Sequence, residues 1–227
     1  MFLPAVACAI NAQWDLDPIS GDWNTAANWT PLGVPNGPTD TATFALSNTT
    51  NISISANTEV NGITFTSAAT NPYTITANSG LTLTISGAGI TNNSGTTQNF
   101  VAGGDATGNG QIAFTNSATA GTGTSFTANG GIVSGGGVGQ IEFFNTSTAG
   151  SGTFTSNAGT ASGTIGGFIQ FLDNSTAANG TFIANGGTVS DSNRGHVDFY
   201  NTSTAGNGTF TNNGGSFSGE LGGTTRF

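Results

Sequence analysis

Residues 141–159 read IEFFNTSTAGSGTFTSNAG, and the chain repeats this phrase in three neighbouring places. FTNSATAGTGTSFTANGG stands at 114–131, FLDNSTAANGTFIANGG at 171–187 and FYNTSTAGNGTFTNNGG at 199–215. Phe126, Phe154, Phe182 and Phe210 are each 28 residues apart, and so are Phe143, Phe171, Phe199 and Phe227. Phe114 precedes Phe143 by 29, a slip assigned to one extra residue near Ser125, in a Gly/Thr turn where insertions cost little. Asn129, Asn157, Asn185 and Asn213 form another column, and Ser134, Ser162, Ser190 and Ser218 a fourth. A fixed period of this length is the signature of a repeat architecture.

Inside each repeat the period is two. Ile141 and Phe143, Ile169 and Phe171, and Val197 and Phe199 point one way, with Glu142, Gln170 and Asp198 between them on the other side. A second strand carries TFTSN, TFIAN or TFTNN, its Phe inward, and a third is expected around TASGT (160–164) and TVSDS (188–192). Glycine-bearing turns separate the strands. Three short strands and three turns per repeat describe one coil of an all-β, parallel β-solenoid, stacked at the strand spacing of about 4.8 Å. A β-propeller is the competitor, but its blades need about 40 residues and four strands. Each stacked Phe is expected to contribute roughly 1.5–3 kcal/mol by burial. The Asn column is read as an amide ladder running from coil to coil.

Composition agrees. Thr, Ser, Asn and Gly dominate, charged residues make up 6%, and Arg194 and Arg226 face eleven acids with no Lys, for a net charge of −9. Nucleic acid is a poor partner for such a chain, because phosphate binding needs clustered Lys and Arg. With 35% hydrophobic residues and sixteen Phe, acidic disorder is excluded. No stretch of about 20 apolar residues is present to span a membrane. Residues 1–12, with the lone Cys8, read as a signal-peptide-like segment cleaved after Ala12, although the basic start is missing. A lipid-anchor reading of AVAC is disfavoured by Ala5. Residues 13–44 form a Trp-rich cap, 45–111 irregular coils and 112–227 the regular repeats.

WDLDPISGDWNTAANWTPLGVPNGPTDTATF, followed by VNGITF, YTI and LTLTISGAGITNNSG, resembles the start of bacterial proteins with autotransporter-associated β-strand repeats. The resemblance is carried by Trp14, Asp15, Trp23, Asn28, Trp29, Pro35, Asp40 and Phe44, and in style it extends over most of the chain. It implies a right-handed β-helix and export to the cell surface or medium, but no particular activity. The 227 residues include neither the membrane barrel nor the sorting tail of full-length members. Independently of the resemblance, Trp14, Trp23 and Trp29 suit a cover for the apolar end of the first coil. The alternative is a carbohydrate-stacking platform.

Candidate chemistry is sparse. Glu142 and Asp198 share the outward column two coils apart, roughly 9.6 Å at the strand spacing, near the upper limit for an inverting carboxylate pair. Only Arg226 stands close, and a polar outer face is the simpler reading. His196 replaces Gln140 and Phe168 in its column and is expected to be exposed, with no nucleophile partner. Asp15, Asp17 and Asp22 offer calcium-type oxygen ligands but read as solvated acids. GGDATGNG (103–110) and GGGVG (135–139) resemble calcium and phosphate loops, yet occur once and without Lys, and are read as turns. Asn145 and Asn201 begin glycosylation triplets that reflect composition. No cofactor or metal is expected. Outward Thr153 with Thr155, and Thr209 with Thr211, form Thr-x-Thr rows continued by Ser125 with Thr127 and Thr181 with Ile183. Such rows resemble the ice-binding faces of β-helical antifreeze proteins, although Ile183 and the Ser125 insertion are expected to break their regularity.

The expected function is an extracellular, non-enzymatic structural or adhesive solenoid, with self-association or surface or glycan contact as its partners. Phe227 falls where a new coil begins and no cap follows, so continuation beyond it or end-to-end assembly into a fibre is expected. The alternatives are a surface binder for ice or glycan using the Thr rows, and a polysaccharide-cleaving enzyme.

Overall fold

A computed structural model describes residues 9–227, so Cys8 and most of the export-like segment lie outside the described residues. The fold is a β-solenoid of two parallel sheets. With strands numbered along the chain, one sheet stacks β1 (Asn11–Trp14), β3 (Gly37–Phe44), β5 (Thr58–Phe65), β7 (Thr82–Asn92), β10 (Gly108–Phe114), β12 (Gly139–Phe143), β14 (Phe168–Phe171), β16 (His196–Phe199) and β18 (Thr224–Arg226). The other stacks β4 (Asn51–Ser53), β6 (Thr74–Ala77), β8 (Gln98–Ala102), β11 (Thr122–Ala128), β13 (Ser151–Ser156), β15 (Thr181–Ala184) and β17 (Thr209–Asn212). Two strands interrupt the pattern: β2 (Trp29–Thr30) runs antiparallel to β1, and β9 (Gly104–Asp105) makes a small antiparallel hairpin with β10.

In the regular coils each residue pairs with its counterpart one repeat away: Ile141 with Ile169, Phe143 with Phe171, Phe154 with Phe182. The expected third strand is absent, and this part of the reading is corrected. Residues 160–163 form a bend and turn. The third ladder lies elsewhere, between the two strands, as single-residue bridges joining Thr119, Thr148, Thr176 and Thr204. Glycines in the 158–166 segment favour a turn over an extended run.

The extra residue in the 29-residue spacing sits in a bulge. Thr122 pairs with Ser151 and Ser125 with Thr153, so three steps on β11 oppose two on β13. Gly123 takes φ 65°, and Thr124 turns inward, where its hydroxyl donates to the Ala120 carbonyl at 2.9 Å.

The core is two parallel columns of rings. Phe114, Phe143, Phe171, Phe199 and Phe227 stack with centroids 4.6–5.0 Å apart and planes within 15°. Phe126, Phe154, Phe182 and Phe210 stack at 4.8–5.0 Å, and Phe100 extends this column by one coil. The columns meet edge to face at 5.5–5.7 Å within each coil, as between Phe171 and Phe182. Rings thus make offset stacks along the axis and T-contacts across it, the two favoured aromatic geometries. Phe227 stacks on Phe199 but is 81% exposed, so it does not form part of the interior. Upstream, Ile85 pairs with Phe114 and Ile75 with Phe100, and aliphatic side chains take over the columns.

The first coil is closed by Trp14, Trp23 and Trp29, all buried. Trp29 contacts both other indoles at 5.0 Å, edge to face, and all three surround Phe44. Each indole N–H donates to a carbonyl: Trp14 to Thr49, Trp23 to Pro35 and Trp29 to Trp23, at 3.0, 3.0 and 2.7 Å. Buried indoles cannot stack on a sugar, which removes the carbohydrate-platform alternative. The cap also covers both sheet edges: β2 lies along β1, and Asp22 bridges Ser53 at the edge of β4. Asn11 and Ala12, assigned by sequence to the export segment, are the first residues of β1, paired with Thr41 and Ala42.

Phe182 is stacked on Phe154 and Phe210 and meets Phe171 edge to face. Phe182→Ala is predicted to cost about 3–5 kcal/mol in denaturant melts, while Thr153→Ala on the exposed face changes stability by less than ~0.5 kcal/mol. Equal losses would contradict the assignment of the ring columns to the core.

Candidate functional site

The acids of the outward column are largely occupied. Asp198 is 1% exposed, and the Arg226 guanidinium donates to both its oxygens, from Nε at 2.6 Å and from Nη2 at 2.7 Å. This corrects the expectation of a free outer carboxylate: Arg226, one coil on, lies over Asp198 and seals it. Glu142 is half-buried and accepts from Gln111 Nε2. Burial pushes its carboxyl above the ordinary glutamate value, and the Gln111 bond offsets this only partly. His196 is half-buried, contrary to expectation, because its ring stacks on Phe168 at 5.2 Å; desolvation pushes its pKa down, opposed by Asp198.

Two of the three calcium-like acids, Asp17 and Asp22, act as hydrogen-bond acceptors. Asp22 takes the Asn24 N–H at 3.2 Å and the Thr25 hydroxyl at 2.7 Å, and Asp17 accepts from Asn48 Nδ2. Burial raises Asp22, but hydrogen bonds from Thr25, Ser55 and Asn24 outweigh it and hold the carboxyl below its ordinary value. Asp105 closes the β9–β10 turn by accepting from the Thr107 N–H and hydroxyl. In GGGVG the Val138 N–H goes to Asn109 Oδ1 at 2.8 Å and the Gly139 N–H to the Asn129 carbonyl at 2.7 Å, leaving neither for a phosphate. Among the described residues no group of three or more His, Cys, Asp or Glu could hold a metal ion, and no helix is long and apolar enough to cross a membrane.

Two polar ladders run along the solenoid. In the first, Asn157 Nδ2 donates to Asn129 Oδ1 at 3.2 Å, Asn185 to Asn157 at 2.9 Å and Asn213 to Asn185 at 2.7 Å. Just after each Asn the chain leaves the body as a loop (130–138, 158–166, 186–194) and returns at Gly139, Gly167 or Gly195, whose N–H is bonded to the Asn carbonyl. At each return a Cβ would overlap a carbonyl of the preceding coil, of Ala102, Ala128 or Ser156. Only glycine allows so close a neck. The loops stack into a fin through bonds such as Thr160 N–H to Gly131 and Asn193 N–H to Thr164. Between fin and ladder lies a groove of about 450 Å³ running from Gly103 to Ser216.

The second ladder was not found in the sequence. Asn116, Asn145, Asp173 and Asn201 all take left-handed φ of 55–57°. The Asn145, Asp173 and Asn201 side chains accept the backbone N–H of Asn116, Asn145 and Asp173, at 2.9, 2.9 and 3.2 Å. The signal was present: Asn and Asp are the residues that tolerate this conformation, and they recur at the repeat spacing.

The remaining surface is the outer face of the seven-stranded sheet. Register places Asn51, Thr74, Asn99, Ser125, Thr153, Thr181 and Thr209 in one row, and Ser53, Thr76, Val101, Thr127, Thr155, Ile183 and Thr211 in the other. None is charged. The bulge at Gly123 and Thr124 is absorbed before Ser125, so the rows stay in register there and only Val101 and Ile183 interrupt the polar side chains. No protein-family model, curated protein or solved structure matches this chain.

Asn157→Ala removes one hydrogen bond given and one received, and is predicted to lower stability by roughly 1–3 kcal/mol in denaturant melts. A loss no greater than that of Thr153→Ala would refute a structural ladder. For Glu142 the folded pKa is raised, so the charged form is penalised above that pKa and the penalty vanishes below the ordinary value of 4.5. Glu142→Gln is therefore predicted to stabilise the protein at pH 7 and above, the gain fading as pH falls through the folded pKa. A gain independent of pH would refute the burial argument.

Proposed function

We propose that the chain is an extracellular, non-catalytic solenoid of structural or adhesive kind that touches its target through the flat face of the seven-stranded sheet. The observation that carries this reading is the pair of uncharged rows across seven strands, one rung per coil. Each rung offers two short or β-branched side chains at the strand spacing, so little side-chain entropy is lost when the face meets an ordered surface. Absence of charge on an otherwise acidic protein fits a neutral, periodic target such as ice or a crystalline glycan. The resemblance at Trp14, Trp23, Asn28 and Trp29 to autotransporter-associated repeat proteins supports export. A polysaccharide-cleaving role needs two available carboxylates, and the pairing of Asp198 with Arg226 argues against it. End-to-end growth into a fibre is not part of this proposal, because the cap covers the amino-terminal edges that a second copy would have to pair with.

Adsorption to microcrystalline cellulose and to chitin, and thermal hysteresis in supercooled solution, test the proposal. The native chain is predicted to show at least one of these, and Thr155→Lys, which puts a long charged side chain in the middle of the face, to weaken it about tenfold or more. A native chain inert in all three assays, or binding unaffected by Thr155→Lys, would overturn the assignment.

A further inference from the structure

The groove between the fin and the asparagine ladder is separate from the flat face, and its chemistry selects a different kind of ligand. We propose that it binds a single neutral, linear, β-linked polysaccharide chain lying along the solenoid axis, with one sugar per coil. Its lining consists of Gly, Asn, Ala, Thr, Ser and Ile, without an ionisable group. A polyanion would find no cation there, and a polycation no carboxylate, although the protein as a whole carries −9.

The ladder supplies the polar contacts. An Asn amide has two N–H donors and two acceptor lone pairs, and a ladder bond uses one of each. Asn157 and Asn185 each give one bond and receive one, leaving an N–H and a lone pair on each without a protein partner. Both residues line the groove, with Asn129 and Asn213 on either side of them, one per coil. Sugar hydroxyls, which donate and accept, complement them rung by rung. Between the amides lie Gly130, Ala158 and Gly186, and Ile132, 53% exposed, adds an apolar wall. A pyranose ring, polar at its edge and apolar on its face, matches this mixture.

The repeat distance separates a glycan from a peptide. Groups on one side of an extended polypeptide recur every two residues, about 6.6–6.8 Å, and fall out of phase with rungs about 4.8 Å apart by the second coil. In an extended β-1,4-linked chain each ring advances by close to one rung and is turned over relative to the last, so every ring presents hydroxyls to its own amide and like edges recur in phase at every second coil. The groove passes along four coils, from Asn129 to Asn213, so several rings bind at once and affinity grows with chain length.

Isothermal titration of the whole chain with soluble cellohexaose, N-acetylchitohexaose and hexagalacturonate tests this. At least one neutral hexamer is expected to bind, its dimer much more weakly, and the hexagalacturonate not at all. Thr188→Trp, which fills the groove beside Asn185, is predicted to weaken binding about tenfold or more, with Thr155→Lys within about twofold of native. Should the Trp variant fail to melt like the native chain, Thr160→Arg takes its place. Binding lost in Thr155→Lys but kept in the groove variants would return the glycan to the flat face and overturn the proposal. No binding of either neutral hexamer, or a preference for the acidic one, would also overturn it. Because the titration uses soluble oligomers, its failure leaves the adsorption result on the flat face untouched.

Discussion

The parallel backbone ladder fixes the distance between coils at about 4.8 Å, and every side chain that repeats must be one that tolerates a copy of itself at that distance. Phenylalanine does, as an offset stack; the rings sit 4.6–5.0 Å apart. Asparagine does, because its amide is donor on one side and acceptor on the other. A carboxylate does not. Two like charges at this spacing repel by roughly 1 kcal/mol in water and by several where partly buried. Two acidic columns of the regular coils are broken in this way: Gln170 separates Glu142 from Asp198, and Asn145 and Asn201 flank Asp173. Asp198 is held buried because its neighbour in the next coil is an arginine.

A stack needs a first layer, and there the rule of self-similarity cannot apply. Three different indoles around Phe44 do what no repeating residue could: they meet at steep angles, fill an end of irregular shape and return their N–H groups to carbonyls. Upstream coils then pass from Phe44 and Phe65 through aliphatic rungs to the uniform ring columns, which begin at Phe100 and Phe114. Order along the axis increases away from the cap.

The solenoid and its ring columns were legible because repetition turns a weak local pattern into a column seen several times. What was missed involves single coils or conformations without a hydrophobic signature. The third strand was sought in 160–164, but there the chain has left the body after Asn157 and returns only at Gly167, and the bridge ladder falls at Thr148 instead. The turn ladder at Asn145 was taken for composition, since left-handed φ leaves no period-two mark. The burial of Asp198 depended on the residue one coil later, and of His196 on Phe168 one coil earlier; neither neighbour is adjacent in sequence. The groove arises from loops that stack, and the same necks create it.

Because a regular coil meets the same phenylalanine and asparagine columns above and below, its ring and amide borders match those of the other regular coils. Duplicating or deleting one whole unit of the gene would rejoin Phe to Phe and Asn to Asn at the seam, while acids such as Glu142 and Asp198 restrict which units can be neighbours. Loss or gain of a partial unit would bring Phe against Thr, whereas a single stray residue is absorbed in the regular coils by the bulge at Gly123. The gene therefore stores the length of this protein as a count of units, so heredity can lengthen or shorten the rod in whole steps while every cross-section stays the same.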